Sequence, residues 1–128
     1  MSESNQVKWR GVRPTNPESC PIEKGRVFNT AIGADTDFFA ATLTPTNTPT
    51  TFRIYVVMDT AGVLTVRRRN IATAVTVNEN LNAGANLNAD AAYIFDFLVT
   101  SLEDINFRYG IAATIIYCLI VELRGGSA

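Results

Sequence analysis

The chain has 128 residues, a hydrophobic share of 47%, a charged share of 18% and a formal net charge of −1. This length sets a single domain as the prior, and the composition excludes an intrinsically disordered chain and a strongly basic nucleic-acid binder. The longest apolar run, Ile115–Val121, is far shorter than the ~20 residues of a membrane helix, so neither nucleic acid nor a membrane is an expected partner.

Residues 1–25 differ from the rest of the chain and predict an extended N-terminal arm. Prolines at positions 14, 17 and 21 forbid a continuous helix or a central strand, and Val7, Trp9 and Val12 are the apolar anchors available to the arm. We expect these anchors to contact a neighbouring subunit or an underlying shell; the alternative is an arm folded back on its own domain. The first residues lack the apolar core of a signal peptide, so synthesis in a host cytoplasm is expected.

Residues 26–128 predict a single antiparallel β-sandwich. Valine, isoleucine and threonine number 11, 10 and 15, whereas glutamate and lysine number only 6 and 2, and this balance favours strands over helices. Alternation and turn residues predict strands at about 26–32, 37–44, 51–58, 63–69, 73–78, 92–100, 104–109 and 112–123, with further candidates near 7–13 and 85–88. Asp59–Gly62 reads as a hairpin turn, and the asparagine-rich stretch 78–90 reads as a loop.

The final predicted strand, 112–123, is apolar on both of its faces. A strand of a solvated antiparallel sheet should carry polar residues on its outer face, so a partner subunit or the arm is expected to cover one side. We assign Ile116 and Ile120 to that interface. The alternative is a central strand whose second face is covered by loops of the same chain.

The densest charge run of the chain is Arg67-Arg68-Arg69. Side chains of a strand alternate between its faces, so at least one of these arginines must meet a partner or lie at the end of the sheet. We expect Arg67 and Arg69 to lie on a solvated strand end or to form ion pairs with a neighbouring protein.

Sequence signatures of an enzyme are absent, so we expect no catalytic, cofactor-binding or metal-binding residues. The chain has no histidine, no phosphate-binding loop and no nucleophile motif. Asp35 and Asp37 could contribute to a cation site, but two carboxylates in one loop are too few, and a polar turn is the alternative. Cys118 alternates with isoleucines as a buried residue would, and it could pair with Cys20 only if the arm crosses the final strand.

The C-terminal half carries a pattern of strands that is similar to a known family. Residues 91–109 join an aromatic-rich strand to an acidic turn, Glu103-Asp104, and a strand opening Ile105-Asn-Phe107; a terminal apolar strand then closes on Glu122. This order resembles the end of trimeric tumour necrosis factor-like and collagen-associated jelly rolls, and of small decoration and spike proteins of tailed-virus particles. The resemblance implies a jelly roll that forms a trimer. The absence of a signal peptide, glycosylation sequon and collagen-like stalk favours a virion component over a secreted trimer.

Together these features predict a structural, non-enzymatic jelly roll that forms homo-oligomers and decorates a virion surface by protein–protein contacts. Two alternatives stay open at this point. One is the subunit of an extracellular filament assembled by donation of an N-terminal strand. The other is a carbohydrate- or receptor-binding module on the same fold.

Overall fold

A computed structural model describes residues 21–123 of the chain. The strands of this part are β1 (Ile22–Ile32), β2 (Thr50–Met58), β3 (Leu64–Asn70), β4 (Thr76–Asn80), β5 (Ala92–Val99), β6 (Glu103–Tyr109) and β7 (Ala113–Leu123). The expectations for the arm, including a strand near 7–13 and the anchors Val7, Trp9 and Val12, lie outside the described residues, as does Cys20.

Two antiparallel sheets pack face to face, which confirms the predicted all-β sandwich. Sheet I has the order β1-β7-β2-β5, and sheet II has the order β4-β3-β6. The period-two pattern of β2 shows why these strands form a sandwich: Phe52, Ile54, Val56 and Met58 are at most 1% exposed, whereas the residues between them are half-buried. The inward side chains of both sheets form one continuous core.

Residues 33–45 run along the free edge of β6 and take the place of an eighth strand. The sequence predicts a strand over 37–44, but this prediction is wrong. The backbone forms one β-bridge with β6, between Leu43 and Ile105, and single hydrogen bonds from Asp35 and Phe38 that do not continue as a ladder. If this segment is counted as the second strand of eight, β1 is the first and β2 to β7 are the third to eighth. The strand order of sheet I is then first, eighth, third and sixth, and that of sheet II is second, seventh, fourth and fifth. That is the arrangement of two Greek keys in a jelly roll, with one strand replaced by an irregular edge.

A buried asparagine explains how this irregular segment is held to the sheet. Asn106 of β6 is 2% exposed, and its Nδ2 donates to the carbonyl oxygen of Phe39 at 2.8 Å. Its Oδ1 accepts from the N–H groups of Phe39 at 3.1 Å and Phe107 at 2.9 Å. The side chain therefore satisfies backbone groups that a regular ladder would otherwise pair.

The turn at Asp59–Gly62 is a crossover between the sheets, and the prediction of a hairpin there is wrong. The strand before it, β2, belongs to sheet I, and the strand after it, β3, belongs to sheet II. Met58 and Leu64 flank the turn and are 1% and 0% exposed, so both strands point their apolar faces into the same core. Two strands paired as a hairpin would lie side by side in one sheet and could not face each other in this way.

Other element boundaries differ modestly from the predicted ones. The first strand begins at Ile22 rather than near residue 26, and β4 spans 76–80 rather than 73–78, so it includes the start of the predicted asparagine-rich loop. The candidate strand at 85–88 is reduced to one bridge between Leu87 and Gly62.

One carboxylate, Glu122 of β7, lies among the inward-facing side chains and is 1% exposed. It accepts hydrogen bonds from the N–H groups of Thr46, at 2.9 and 3.1 Å, and Asn47, at 3.2 Å, and it pairs with Lys24 at 3.3 Å. Burial by itself would raise the pKa of Glu122, but these donors outweigh burial, and the pKa lies below its ordinary value. The carboxylate thereby fastens the 45–49 loop to sheet I.

Candidate interaction surface

The side of sheet I that faces away from the core is covered by apolar side chains. On β7, at the centre of the sheet, Tyr117, Leu119 and Val121 are half-buried and point outward between the inward-facing residues. On β5, at the edge, Ile94 and Leu98 are 59% and 55% exposed. We call this surface the outer face; its apolar members are Phe28, Tyr55, Val57, Ile94, Leu98, Tyr117, Leu119, Val121 and Leu123.

The strand register brings these side chains into contact across the sheet. Leu119 of β7 lies opposite Tyr55 of β2, and Tyr55 lies opposite Ile94 of β5, so one apolar row crosses three strands. In the adjacent row, Phe28 of β1 lies opposite Tyr117, with ring centroids 5.3 Å apart. Cross-strand neighbours of this kind form a continuous patch rather than scattered exposed residues.

The outer face contains two ion pairs. Arg26 and Glu23 of β1, which lie opposite Leu119 and Val121, pair at 2.6 Å. The second pair joins Arg53 of β2 and Asp96 of β5. Arg53 donates from Nε to Oδ1 at 2.7 Å and from Nη2 to Oδ2 at 2.9 Å, a two-pronged geometry in which each charge neutralises the other. The hydrogen bond from Arg53 lowers the pKa of Asp96, so the carboxylate stays charged and paired at neutral pH. Neither pair gives the face a net charge.

The opposite surface of the sandwich, on sheet II, has a different composition. The solvent-accessible outward-facing residues of its strands are polar or charged; they are Thr65, Arg67, Arg69, Thr76, Asn78, Asn80, Asp104 and Arg108. Several form bonds on the surface, such as Thr65 to Asn80 at 3.0 Å. A polar outer face is normal for a solvated antiparallel sheet, so the apolar outer face of sheet I is the unusual surface of this molecule.

The predicted interface arginines lie on the polar side. Arg67 and Arg69 point outward from β3, and Arg69 pairs with Asp104 at 3.5 Å. Arg68 points the other way, as alternation requires, and its side chain is only 14% exposed between Glu103, at 2.8 Å, and Glu79, at 3.0 Å. The structure therefore places Arg67 and Arg69 away from the apolar outer face.

The predicted interface residues of β7 need correction. Ile120 is 0% exposed and lies in the core opposite Ile54, so it cannot line a surface between subunits. Ile116 sits at a register shift between β7 and β2 and is half-buried. That shift also turns Ile115 into the core, so a simple alternation along the strand assigned the two faces incorrectly.

The residues that sequence reasoning missed are those of the neighbouring strands. Tyr55 and Val57 alternate with the buried set of β2, and Ile94 and Leu98 alternate with the aromatic set of β5. Each strand taken alone shows only a few apolar residues on its second face. The sequence feature that could have revealed the outer face is that three strands each carry apolar residues on the face opposite their buried one.

The described residues show no arrangement suited to catalysis or metal binding. Within residues 21–123 no pocket is found, and no group of three or more histidine, cysteine or acidic side chains is close enough to hold a metal ion. Asp37, one of the two acids considered for a cation, pairs with Arg108 at 2.7 Å. The same range contains no helix with the length and apolar character needed to cross a membrane.

Comparisons with known proteins add little to this picture. No protein-family model matches the chain, and no curated protein matches it in sequence. A chain in the crystal structure of the T13 IBDV viral particle is similar in structure, with 11% sequence identity and a TM-score of 0.44. The match covers 83% of this chain and 31% of that chain, so this protein spans less than a third of its length. A likeness at this level carries no functional conclusion.

Proposed function

We propose that this chain is a structural, non-enzymatic protein that associates with copies of itself through the outer face of sheet I. The observation that carries the proposal is the contrast between the two outward surfaces. The outward surface of sheet II is polar, and its side chains bond to one another. The outer face of sheet I is a contiguous surface of nine apolar side chains, and its two ion pairs are each internally neutralised.

The size of the outer face supports a role in association. Four strands spaced about 4.8 Å apart, with eight residues rising about 3.3 Å each, give a projected area on the order of 500 Å². The largest apolar patch on an ordinary monomer is roughly 300–600 Å² and is often functional. Covering this face on both partners removes on the order of 1,000 Å² from water. If roughly half of that area is apolar, as in an ordinary interface, its burial at about 25 cal/mol per Å² exceeds the lower estimates of the cost of association.

The two-faced sandwich also supports a place on a virion surface. A decoration protein needs one surface for contact with its neighbours and another that tolerates solvent, and this chain has both. In this proposal the homo-oligomer is a trimer, and the segment before β1, residues 1–21 with Val7, Trp9 and Val12, extends to a neighbouring subunit or to a shell protein. In this proposal the chain is synthesised in the host cytoplasm and is then incorporated into the virion surface.

Self-association is tested by measuring molar mass at several concentrations with light scattering or sedimentation. Leu119→Glu places a charge at the centre of the outer face, and Leu102→Glu makes the same change in a loop residue that is 53% exposed. The wild-type and Leu102→Glu proteins are expected to gain mass with concentration, whereas Leu119→Glu stays monomeric and folded. A monomeric wild type, or equal masses for all three proteins, contradicts the proposal.

The role of the N-terminal segment is tested by removing residues 1–20. The truncated protein is expected to keep its β-sheet circular dichroism spectrum and its unfolding midpoint, while the oligomer weakens or fails to attach to a shell. An unchanged assembly would remove the segment from the proposal and leave the outer face untouched. Mass spectrometry of purified virus particles from the source tests the virion location separately.

A further inference from the structure

Among residues 21–123, no strand pairs with the outer side of β5, which forms one edge of sheet I with a regular register. All eight β5 residues pair with β2 at one constant register, without a bulge, a proline or a residue of positive φ. Its exposed large side chains, Ile94 and Leu98, are apolar, and its one charge, Asp96, is neutralised by Arg53. A long, flat edge with apolar side chains is a template for pairing with another strand.

The hydrogen bonds show which backbone groups of β5 face that edge. The carbonyl oxygen of Leu98 accepts from Nη2 of Arg68 at 2.8 Å, so it points away from β2. Because alternate residues of an antiparallel strand bond the same neighbour, Ile94 and Asp96 also direct their N–H and C=O groups to the free edge. Phe95 and the other odd-numbered residues face β2 instead.

The other edges of the described sandwich are blocked. The outer edge of β1 is interrupted by a register shift near Lys24 and by Asn29 at a φ of 46°. The edge of β6 is covered by residues 33–45, which Asn106 holds in an irregular path. On the remaining edge, β4 is only five residues long. Short, kinked and covered edges resist pairing with another strand, so among the described strands the edge of β5 is the one best suited to such pairing.

We infer that β5 pairs with β5 of a second copy about a two-fold axis, which joins the two four-stranded sheets into one. Two identical strands that pair antiparallel are self-complementary, because each offers the other the same backbone groups. The two-fold axis is perpendicular to the sheet, so the cores of both copies lie on the same side of the joined sheet. A register centred on Asp96 would place two carboxylates opposite each other, so the pair is centred on Ile94 or Phe95. The two outer faces then form one continuous apolar surface.

This inference rests on the proposed self-association for its occupant, a second copy, but it uses a different contact. The measurement that separates the two is amide hydrogen exchange followed by NMR at low and high protein concentration. The amides of Ile94 and Asp96 are expected to become protected as the mass rises, whereas the amide of Phe95 is protected at both concentrations because it faces β2. The Leu119→Glu variant, which is expected to stay monomeric, should show unprotected Ile94 and Asp96 amides at both concentrations.

A matched pair of variants tests the edge directly. Ile94→Pro and Ile94→Thr both remove the isoleucine from the outer face, but only proline removes the N–H that points to the free edge. A two-fold pair loses two hydrogen bonds with proline, so its dissociation constant is expected to rise about tenfold or more relative to the Ile94→Thr protein. Equal constants for the two folded variants would overturn the inference.

Two further outcomes also overturn it. If the mass rises with concentration while Ile94 and Asp96 exchange as freely as loop amides, association uses the outer face alone and the proposed function stands. If both amides are protected in the full chain but open after removal of residues 1–20, the edge receives a donated strand from that segment, which favours a filament.

Discussion

Replacing Asn106 by alanine tests whether one side chain holds the irregular edge of sheet II. Asn106 makes three hydrogen bonds to backbone groups, two with Phe39 and one with Phe107, at 2.8 to 3.1 Å. Alanine removes all three and leaves two N–H groups and one carbonyl without these partners at a site that is 2% exposed. Residues 33–45 then keep their other backbone hydrogen bonds to β6, which are the paired bonds of Leu43 with Ile105 and single bonds from Asp35 and Phe38.

The expected loss of stability follows from the number of backbone groups left unpaired. An unsatisfied buried polar group costs about 1–3 kcal/mol, and water can reach part of the Phe39 backbone once the side chain is gone. We therefore expect the free energy of unfolding of the Asn106→Ala protein to fall by about 3–5 kcal/mol. That is a large part of the roughly 5–15 kcal/mol that a domain of this size has in total.

Urea unfolding followed by far-ultraviolet circular dichroism measures this loss, and Asp37→Asn is the matched control. Asp37 holds the same segment through its bond with Arg108 at 2.7 Å, but both side chains are about one-third exposed, at 34% and 35%. Exposed ion pairs contribute less than about 1 kcal/mol, so the control should change stability little. If Asn106→Ala also costs less than 1 kcal/mol, the edge is held by packing and the assigned role of the asparagine is wrong.

Three further predictions concern buried groups. The pKa of Glu122 is lowered in the folded state, so its ionised carboxylate should stabilise the protein above about pH 4.5. This stabilisation should be lost as the pH falls through the folded pKa. The Glu122→Gln protein should therefore show a flatter acid side in a plot of the free energy of unfolding against pH. Burial raises the pKa of the Cys118 thiol to about 12. In a Cys20→Ser protein this thiol should therefore react with iodoacetamide at pH 8 only as fast as the protein unfolds. Rapid labelling of the folded protein would contradict this prediction. A Cβ at Gly62 would lie 2.7 Å from a ring carbon of the buried Tyr109, so Gly62→Ala should lower the thermal unfolding midpoint by several degrees. The control is Gly110→Ala, whose Cβ would lie 3.8 Å from its nearest atom. It should leave the midpoint within about two degrees of the wild type.

The stretches with clear alternation were those that the sequence predicted well. In β2 and β5, apolar residues at every second position match the buried faces of the strands, because the side-chain period of a strand is a local property of the backbone. The segment 37–44 shows the limit of this reasoning. Its apolar residues predict a strand, but Phe38 and Phe39 are adjacent, and the path between them is fixed by Asn106, which is 67 positions away.

The apolar outer face of sheet I was predicted only in part. The sequence shows that β7 is apolar on two sides, and the outer face confirms that one of these sides is not in the core. It could not show which side, because the register shift at Ile116 depends on pairing with Met58 of a distant strand. The contributions of Tyr55 and Ile94 required the strand order of the whole sheet.

The sequence by itself determined the class of this protein: strands, one sandwich and an excess of apolar side chains beyond what one core can bury. These properties depend on composition and on a period of two, which neighbouring residues set among themselves. Only the tertiary structure decided which strands share a sheet, which face of β7 turns outward and which edge stays open. Pairing joins residues far apart in sequence, and a shift of one position exchanges the two faces of a strand.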